Sequence, residues 1–196
     1  DHTADRVARM LDLFHGAVRR LMALEVPVVA LVHGAALGGG CELALACDQR
    51  LAVGSAKLGM IHGRLAISAS WGGGNDLVRL VGPAKALRLM ATAATLSAAE
   101  AQAEGMVDAV CPEGQAFDDW FATQLSPWRE HPRQVMRAFK AIATGARATN
   151  RRELDTLETL HFAEVWAHED HWAAIEKLAE VDTVAMDKTG TLTEGV

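Results

Sequence analysis

The sequence predicts an α/β core followed by a helical C-terminal region, and three observations carry that expectation. Short β-branched runs bounded by Pro or Gly recur through the first half of the chain. Helical patterns separate them, in the order of one helix and then βαβ-like units. From Ala116 to about Ala179 the pattern is mostly helical, with a polar break near 145–150. The expected boundaries are an α/β core over 1–115, a helical region over 116–179 and a tail over 180–196.

Residues 4–24 read as an amphipathic helix. Thr3 is placed to cap it, and Val7, Met10, Leu11, Phe14, Val18 and Leu21 keep the spacing of one buried face. Pro27 ends the helix, and "VPVVALVHG" then reads as a buried strand. Gly38, Gly39 and Gly40 turn the chain into a short helix from about Cys41 to Asp48. "RLAVGSA" reads as another strand, and a Gly-rich loop over 59–74 leads to two short helices split at "GPAKAL". In "TLSAAEAQAEGMVDAV", Ser97 and Glu100 make a capping box, Gly105 closes the helix and a strand follows.

Composition excludes several functions. The chain has 196 residues, 22% charged, and a net charge of −6. That balance opposes non-specific binding to nucleic acid or to an anionic membrane, both of which need surplus Lys and Arg. No apolar run approaches the roughly 18 residues of a membrane span, and no signal peptide opens the chain. The first residue is Asp, which reads as processing or excerpting. Cys41, Cys47 and Cys111 lack metal-ligand spacing and read as buried free thiols in a reducing cytoplasm.

"HGAALGGGCELALACD" carries the chemistry. Glycines at a helix start let a ligand approach the main chain, where unpaired N–H groups and the helix dipole favour negative charge. "GGGCE" lacks the Lys-Ser/Thr of a P-loop and does not match G-x-G-x-x-G. An oxyanion hole fits better than a phosphate cradle, with Glu42 as acid or base at the same carbon. A plain strand-to-helix turn explains the five residues equally well.

The wider pattern separates these readings. "VPVVALVHGAALGGGCELALACDQRLAVGSAKLG", then a Gly-rich loop, "RLVG" and "LSAAEAQAEGMVDAV" resemble the crotonase (enoyl-CoA hydratase/isomerase) superfamily over residues 1–178. The resemblance implies a spiral of ββα units with C-terminal helices used in homotrimer or hexamer packing. It implies an acyl-CoA thioester as substrate, with coenzyme A part of that substrate and no separate cofactor or metal. By position, Gly39 would be an oxyanion donor and Glu42 the first of the hydratases' two catalytic glutamates. Ala36, Leu37, Gly38, Trp71 and Gly72 would contact substrate.

The chain departs from that pattern at one chemical position. Where hydratases carry their second glutamate, "AKLGMIHGRLAISASWGGGNDL" places His62. Histidine does acid/base work near neutral pH, or it fills the loop beside Trp71. "HGRLAISASWGGG" resembles the branch that includes ethylmalonyl-CoA decarboxylase, in which an enolate left by CO₂ needs only a proton. "DHTADRVARMLDLFH" resembles instead the helix after the active-site loop of cyclic dienoyl-CoA hydratases. The pattern also expects an upstream "A-G-x-D" loop with the second oxyanion N–H. The leading expectation is a hydratase/isomerase-type enzyme; the alternatives are an alkylmalonyl-CoA decarboxylase and a non-catalytic crotonase-fold fragment or chimera.

The remaining candidates are read more plainly. Ser68 and Ser70 are ordinary loop serines, and Trp71 is a pocket wall. In "HFAEVWAHEDHW", His161, Glu164, His168 and His171 read as a solvated or interface face, with Trp166 and Trp172 packing helices. Glu100, Glu104 and Asp108 read as capping and surface residues. "VDTVAMDKTGTLTEGV" resembles the P-type ATPase phosphorylation motif, in which Asp187 would accept a phosphoryl group beside Lys188 and Thr189. It reads as a tail of different origin.

Overall fold

The computed structural model describes residues 4–148, 156, 159–160, 162–163 and 166–182. Thr3, His161, Glu164 and the segment with Asp187, Lys188 and Thr189 lie outside these. Helix α1 spans Ala4–Met22. Its buried stripe is Val7, Leu11, His15, Val18 and Met22. The stripe centres toward His15, which leaves Met10 roughly 100° away on the helical wheel. Met10 is accordingly 40% exposed, unlike the face the spacing predicts.

The strand expected in "VPVVALVHG" forms, and a further short strand that the pattern did not show follows it. Strand β1 covers Val29–Val32, the chain turns at His33-Gly34, and β2 covers Ala35–Leu37 in a different sheet. "RLAVGSA" behaves alike: β3 is Gln49–Ala52, and β4, Lys57–Gly59, begins beyond it in the second sheet. With β5 at Leu96–Ser97 and β6 at Ala109–Val110, the sheets have the orders β1-β3-β6 and β2-β4-β5. The first is parallel throughout; in the second, β2 pairs parallel with β4, and β5 antiparallel. The pairs β1-β2 and β3-β4 each feed both sheets before a helix returns the chain, whereas α5 separates β5 from β6. This is the ββα winding that the resemblance implies.

Helix α2, Gly39–Ala46, lies in the core, with Cys41, Glu42, Ala44, Leu45 and Ala46 buried. Cys41 and Leu45 pack with Val32, Leu58, Met60, Leu77 and Leu89. Helices α3, Gly73–Val81, and α4, Pro83–Thr92, part at Gly82 as predicted, because φ is +83° there and Pro83 begins the next helix. The Ser97–Glu100 capping box forms at the start of α5, Ala98–Glu104, and Gly105 closes it in the left-handed region. Asp108 is more than the surface group expected: its Oδ2 lies 2.7 Å from Nη2 of the fully buried Arg50.

Among the helices that follow are α6 at Phe117–Arg129, α7 at Arg133–Ala148 and α8 at Glu169–Asp182. Helix α7 clamps the end of α2. Arg147 donates to the Ala46 and Cys47 carbonyls, which have no acceptor role inside the helix, and Lys140 reaches Asp48 Oδ2 at 2.6 Å. No helix among the described residues is long and apolar enough to cross a membrane.

Candidate functional site

The site begins where the first glycine triplet starts α2. Gly38 has φ +54° and ψ −124°, a backbone state that side chains oppose. Its N–H donates to Gly59 O at the end of β4, and its carbonyl accepts from Glu42 N at 3.0 Å. The Gly39 and Gly40 N–H groups make no hydrogen bond among the described residues. They are two of the unpaired donors that every helix start presents. Trp71 covers Gly39 so closely that a Cβ there would lie 2.9 Å from ring carbons Cη2 and Cζ3.

Glu42 sits in the first turn of α2 and is 2% exposed. Its Oε2 accepts from Trp71 N at 2.8 Å, Gly73 N at 3.0 Å and Ser70 N at 3.2 Å. Its Oε1 lies 2.9 Å from His62 Nε2. A buried carboxylate needs such partners, and here the 70–73 backbone supplies three. Two glycines make the wrap possible. Gly72 turns through φ +91°, and Gly73 rests on Glu42 so tightly that a Cβ would come within 2.6 Å of its Cα.

His62 lies in a 3-10 turn, Ile61–Leu65, and is 9% exposed. With a carboxylate oxygen as the acceptor, Nε2 is the donor of this contact. Nδ1 makes no hydrogen bond among the described residues. The pair abuts the first triplet: a Cβ on Gly38 would stand 3.8 Å from His62 Nε2. The neighbouring Cys41 is inert, since burial pushes its thiol up to about 12.

Buried side chains support this arrangement from behind. His15 Nε2 donates to Ser70 O at 2.6 Å, on the residue whose N–H holds Glu42. Trp71 stacks on Phe14, with ring centroids 4.4 Å apart and planes 10° from parallel. His171, expected on a solvated or interface face, is 2% exposed, and its Nδ1 donates to Leu65 O at 2.6 Å. His168 is largely exposed, as expected.

The structure thus brings together Gly38, Gly39, Glu42, His62, Trp71 and Gly72. Leu37 and Ala36 lie just before them on β2. Ala36 also lines an apolar groove of about 420 Å³ with Val32, Gly40 and Leu43, along β1 and α2. Sequence reasoning missed His15, His171 and Gly73. The signal for His15 was its place inside an apolar stripe; for Gly73 it was a second glycine triplet.

Residues 8–183 match the family model described as enoyl-CoA hydratase/isomerase. A probable enoyl-CoA hydratase of Mycobacterium tuberculosis is 41% identical over 104 residues, covering 53% of this chain and 40% of that protein. The ethylmalonyl-CoA decarboxylase of Danio rerio is 32% identical over 165 residues, 81% of this chain and 53% of that one. An enoyl-CoA hydratase structure from Mycobacterium avium subsp. paratuberculosis K-10 superposes with a TM-score of 0.80 at 26% identity, covering 85% of this chain and 69% of that one. The chain spans about half, or less, of the length of these curated relatives.

Proposed function

The chain belongs to the enoyl-CoA hydratase/isomerase family, and on that premise we propose that it carries the proton-handling part of a site acting on acyl-CoA thioesters. The thioester carbonyl accepts from Gly39 N–H at the positive end of α2, so the charge of an enolate oxygen is stabilised as it develops. His62 exchanges a proton with the α-carbon through Nδ1. As the C–H bond breaks, its electron pair forms the enolate C=C bond, the carbonyl π pair moves onto the oxygen, and the imidazole that takes the proton becomes cationic. Glu42 faces the opposite nitrogen and stabilises that cation. Ala36, Leu37, Gly38 and Gly72 shape the approach, and Trp71 walls it. Coenzyme A belongs to the substrate, and no separate cofactor enters.

The observation that carries this reading is the 2.9 Å contact between His62 Nε2 and Glu42 Oε1 beside the unpaired amides of α2. Hydratase/isomerase chemistry is the leading assignment. A second reading, decarboxylation of an alkylmalonyl thioester, gains from the same contact. Glu42 and His62 are joined as one proton-handling unit, and an enolate left by departing CO₂ needs one proton rather than an activated water. By the family resemblance, the C-terminal helices also pack subunits into a homotrimer or hexamer, which light scattering would measure.

The test is exchange in deuterated water of the α-protons of a saturated acyl-CoA, followed by mass spectrometry, with enoyl and alkylmalonyl thioesters in parallel. Enolate formation gives a mass gain that His62→Gln abolishes. Addition of water to the enoyl thioester selects the hydratase reading, and loss of CO₂ selects the decarboxylase. A folded chain that binds acyl-CoA and exchanges nothing would overturn both.

A further inference from the structure

The two partners in the site are secured unequally. Glu42 is gripped by three amides and has His15 behind Ser70. His62 rides on a short turn that ends at Ala66, whose φ of +52° is unfavourable for any residue with a Cβ. The turn's end is closed by two long backbone bonds, Ala66 N to Gly63 O at 3.2 Å and Ile67 N to His62 O at 3.3 Å. Such an end needs holding from outside.

Two side chains do so. Arg64 ties the turn to the Ala93 carbonyl through Nε and Nη2. His171 on α8 reaches Leu65 O across 106 residues of sequence. Its ring lies 4.6 Å from that of Trp166 and 4.8 Å from that of Trp172. The acceptor is a carbonyl, so Nδ1 must donate. A ring so packed has little freedom to give up the bond.

We infer that His171 is a positioning residue for His62, acting from the C-terminal helices through the Leu65 carbonyl. The inference rests on the proposed Glu42–His62 unit for its functional meaning, but the turn it acts on is independent of that reading. Its consequence is that the helical region sets the geometry of a proton-handling group on the α/β core.

The decisive comparison is His171→Asn against His171→Leu in the full chain. The two side chains have similar volume, and only Asn keeps a donor near the position of Nδ1. The first readout is the downfield imidazole proton resonance of the His62–Glu42 contact in water, assigned by its loss in His62→Gln. The second is amide hydrogen exchange at Ala66 and Ile67. We expect Leu to broaden the resonance away and to speed both amides about tenfold, the scale of one lost hydrogen bond. Asn retains the signal and the protection. Equal behaviour of the two variants, whether both lose protection or both keep it, overturns the inference. If the parent chain lacks the resonance, the Glu42–His62 unit fails, and the amide comparison still judges whether His171 holds the turn.

Discussion

The chain contains two glycine triplets, 38–40 and 72–74, and both start helices. They are used in opposite ways. At the first, the Gly39 and Gly40 amides have no partner among the described residues, so the positive end of α2 is open to an incoming charge. At the second, Gly73 N–H is committed to Glu42 at 3.0 Å, so the start of α3 serves a charge the chain already owns. The side of each glycine tells the same story. A Cβ on Gly40 would have nothing within 4 Å, whereas Gly73 lies against the Glu42 backbone and stem. One sequence feature thus produces a receptive helix start and a saturated one. What separates them is whether an acid is packed in front.

The largest expected effect tests the saturated start. Gly73→Ala places a methyl within 2.6 Å of Glu42 Cα and 2.5 Å of its Cβ, in a region where every neighbour is buried. Overpacking of this kind costs about 3 kcal/mol or more. Urea denaturation measures it. A variant as stable as the parent would mean that α3 rides loosely on α2, and the contrast between the triplets would collapse.

Removing the acid is next. Glu42→Gln keeps the shape but replaces an acceptor oxygen by an NH₂ facing either His62 or the three amides. Loss of charge-assisted bonds predicts a destabilisation of about 2 kcal/mol. The same variant leaves any imidazolium at His62 without its counter-charge, so α-proton exchange falls roughly a hundredfold. Denaturation and deuterium incorporation, read on one preparation, separate the two. Full exchange activity with lowered stability would make Glu42 a purely structural acid.

Much of this was readable in the chain, and the failures have definite causes. The glycine triplet and Glu42 were singled out from a local motif, and His62 from its place in the family resemblance; the fold brings the three together. The capping box at Ser97 and Glu100 was legible because both partners lie within four residues. The second sheet was not: β1 and β3 form where "VPVVALVHG" and "RLAVGSA" predict strands, but β2 and β4 lie just beyond those runs, and nothing local marks strands of three residues that pair elsewhere. His171 was misplaced for the same reason, since its acceptor Leu65 is 106 residues away. Asp108 is exposed as expected, but its ion pair with the buried Arg50, 58 residues away, is visible only in three dimensions.

At the receptive start, Gly39→Ala gives a smaller effect of a different kind. The new methyl meets Trp71 ring carbons at 2.9 Å, the far side of a side chain rather than backbone. The ring shifts, its stacking on Phe14 loosens, and stability falls by about 1 kcal/mol. Tryptophan fluorescence reports the shift directly. Since Trp71 N–H also holds Glu42, exchange activity should fall by more than the stability loss alone implies.

The smallest effect is the most discriminating. Gly40 is exposed, has no neighbour within 4 Å of a methyl and lies in the first turn of α2 with an ordinary helical backbone. Gly40→Ala should therefore stabilise the chain by roughly 0.5–1 kcal/mol, because alanine has less unfolded-state freedom to lose. A raised midpoint in denaturant, with an unchanged slope, is the expected result. Gly40 is, however, one of the residues that line the groove with Ala36 and Leu43. If acyl-CoA approaches the unpaired amides from that groove, the stabilised variant will bind it more weakly. Stability and affinity moving in opposite directions would mark the first triplet as kept for its ligand, while the second is kept for its fold. A gain in both would show that Gly40 merely turns the chain and that the receptive role rests on Gly39 alone.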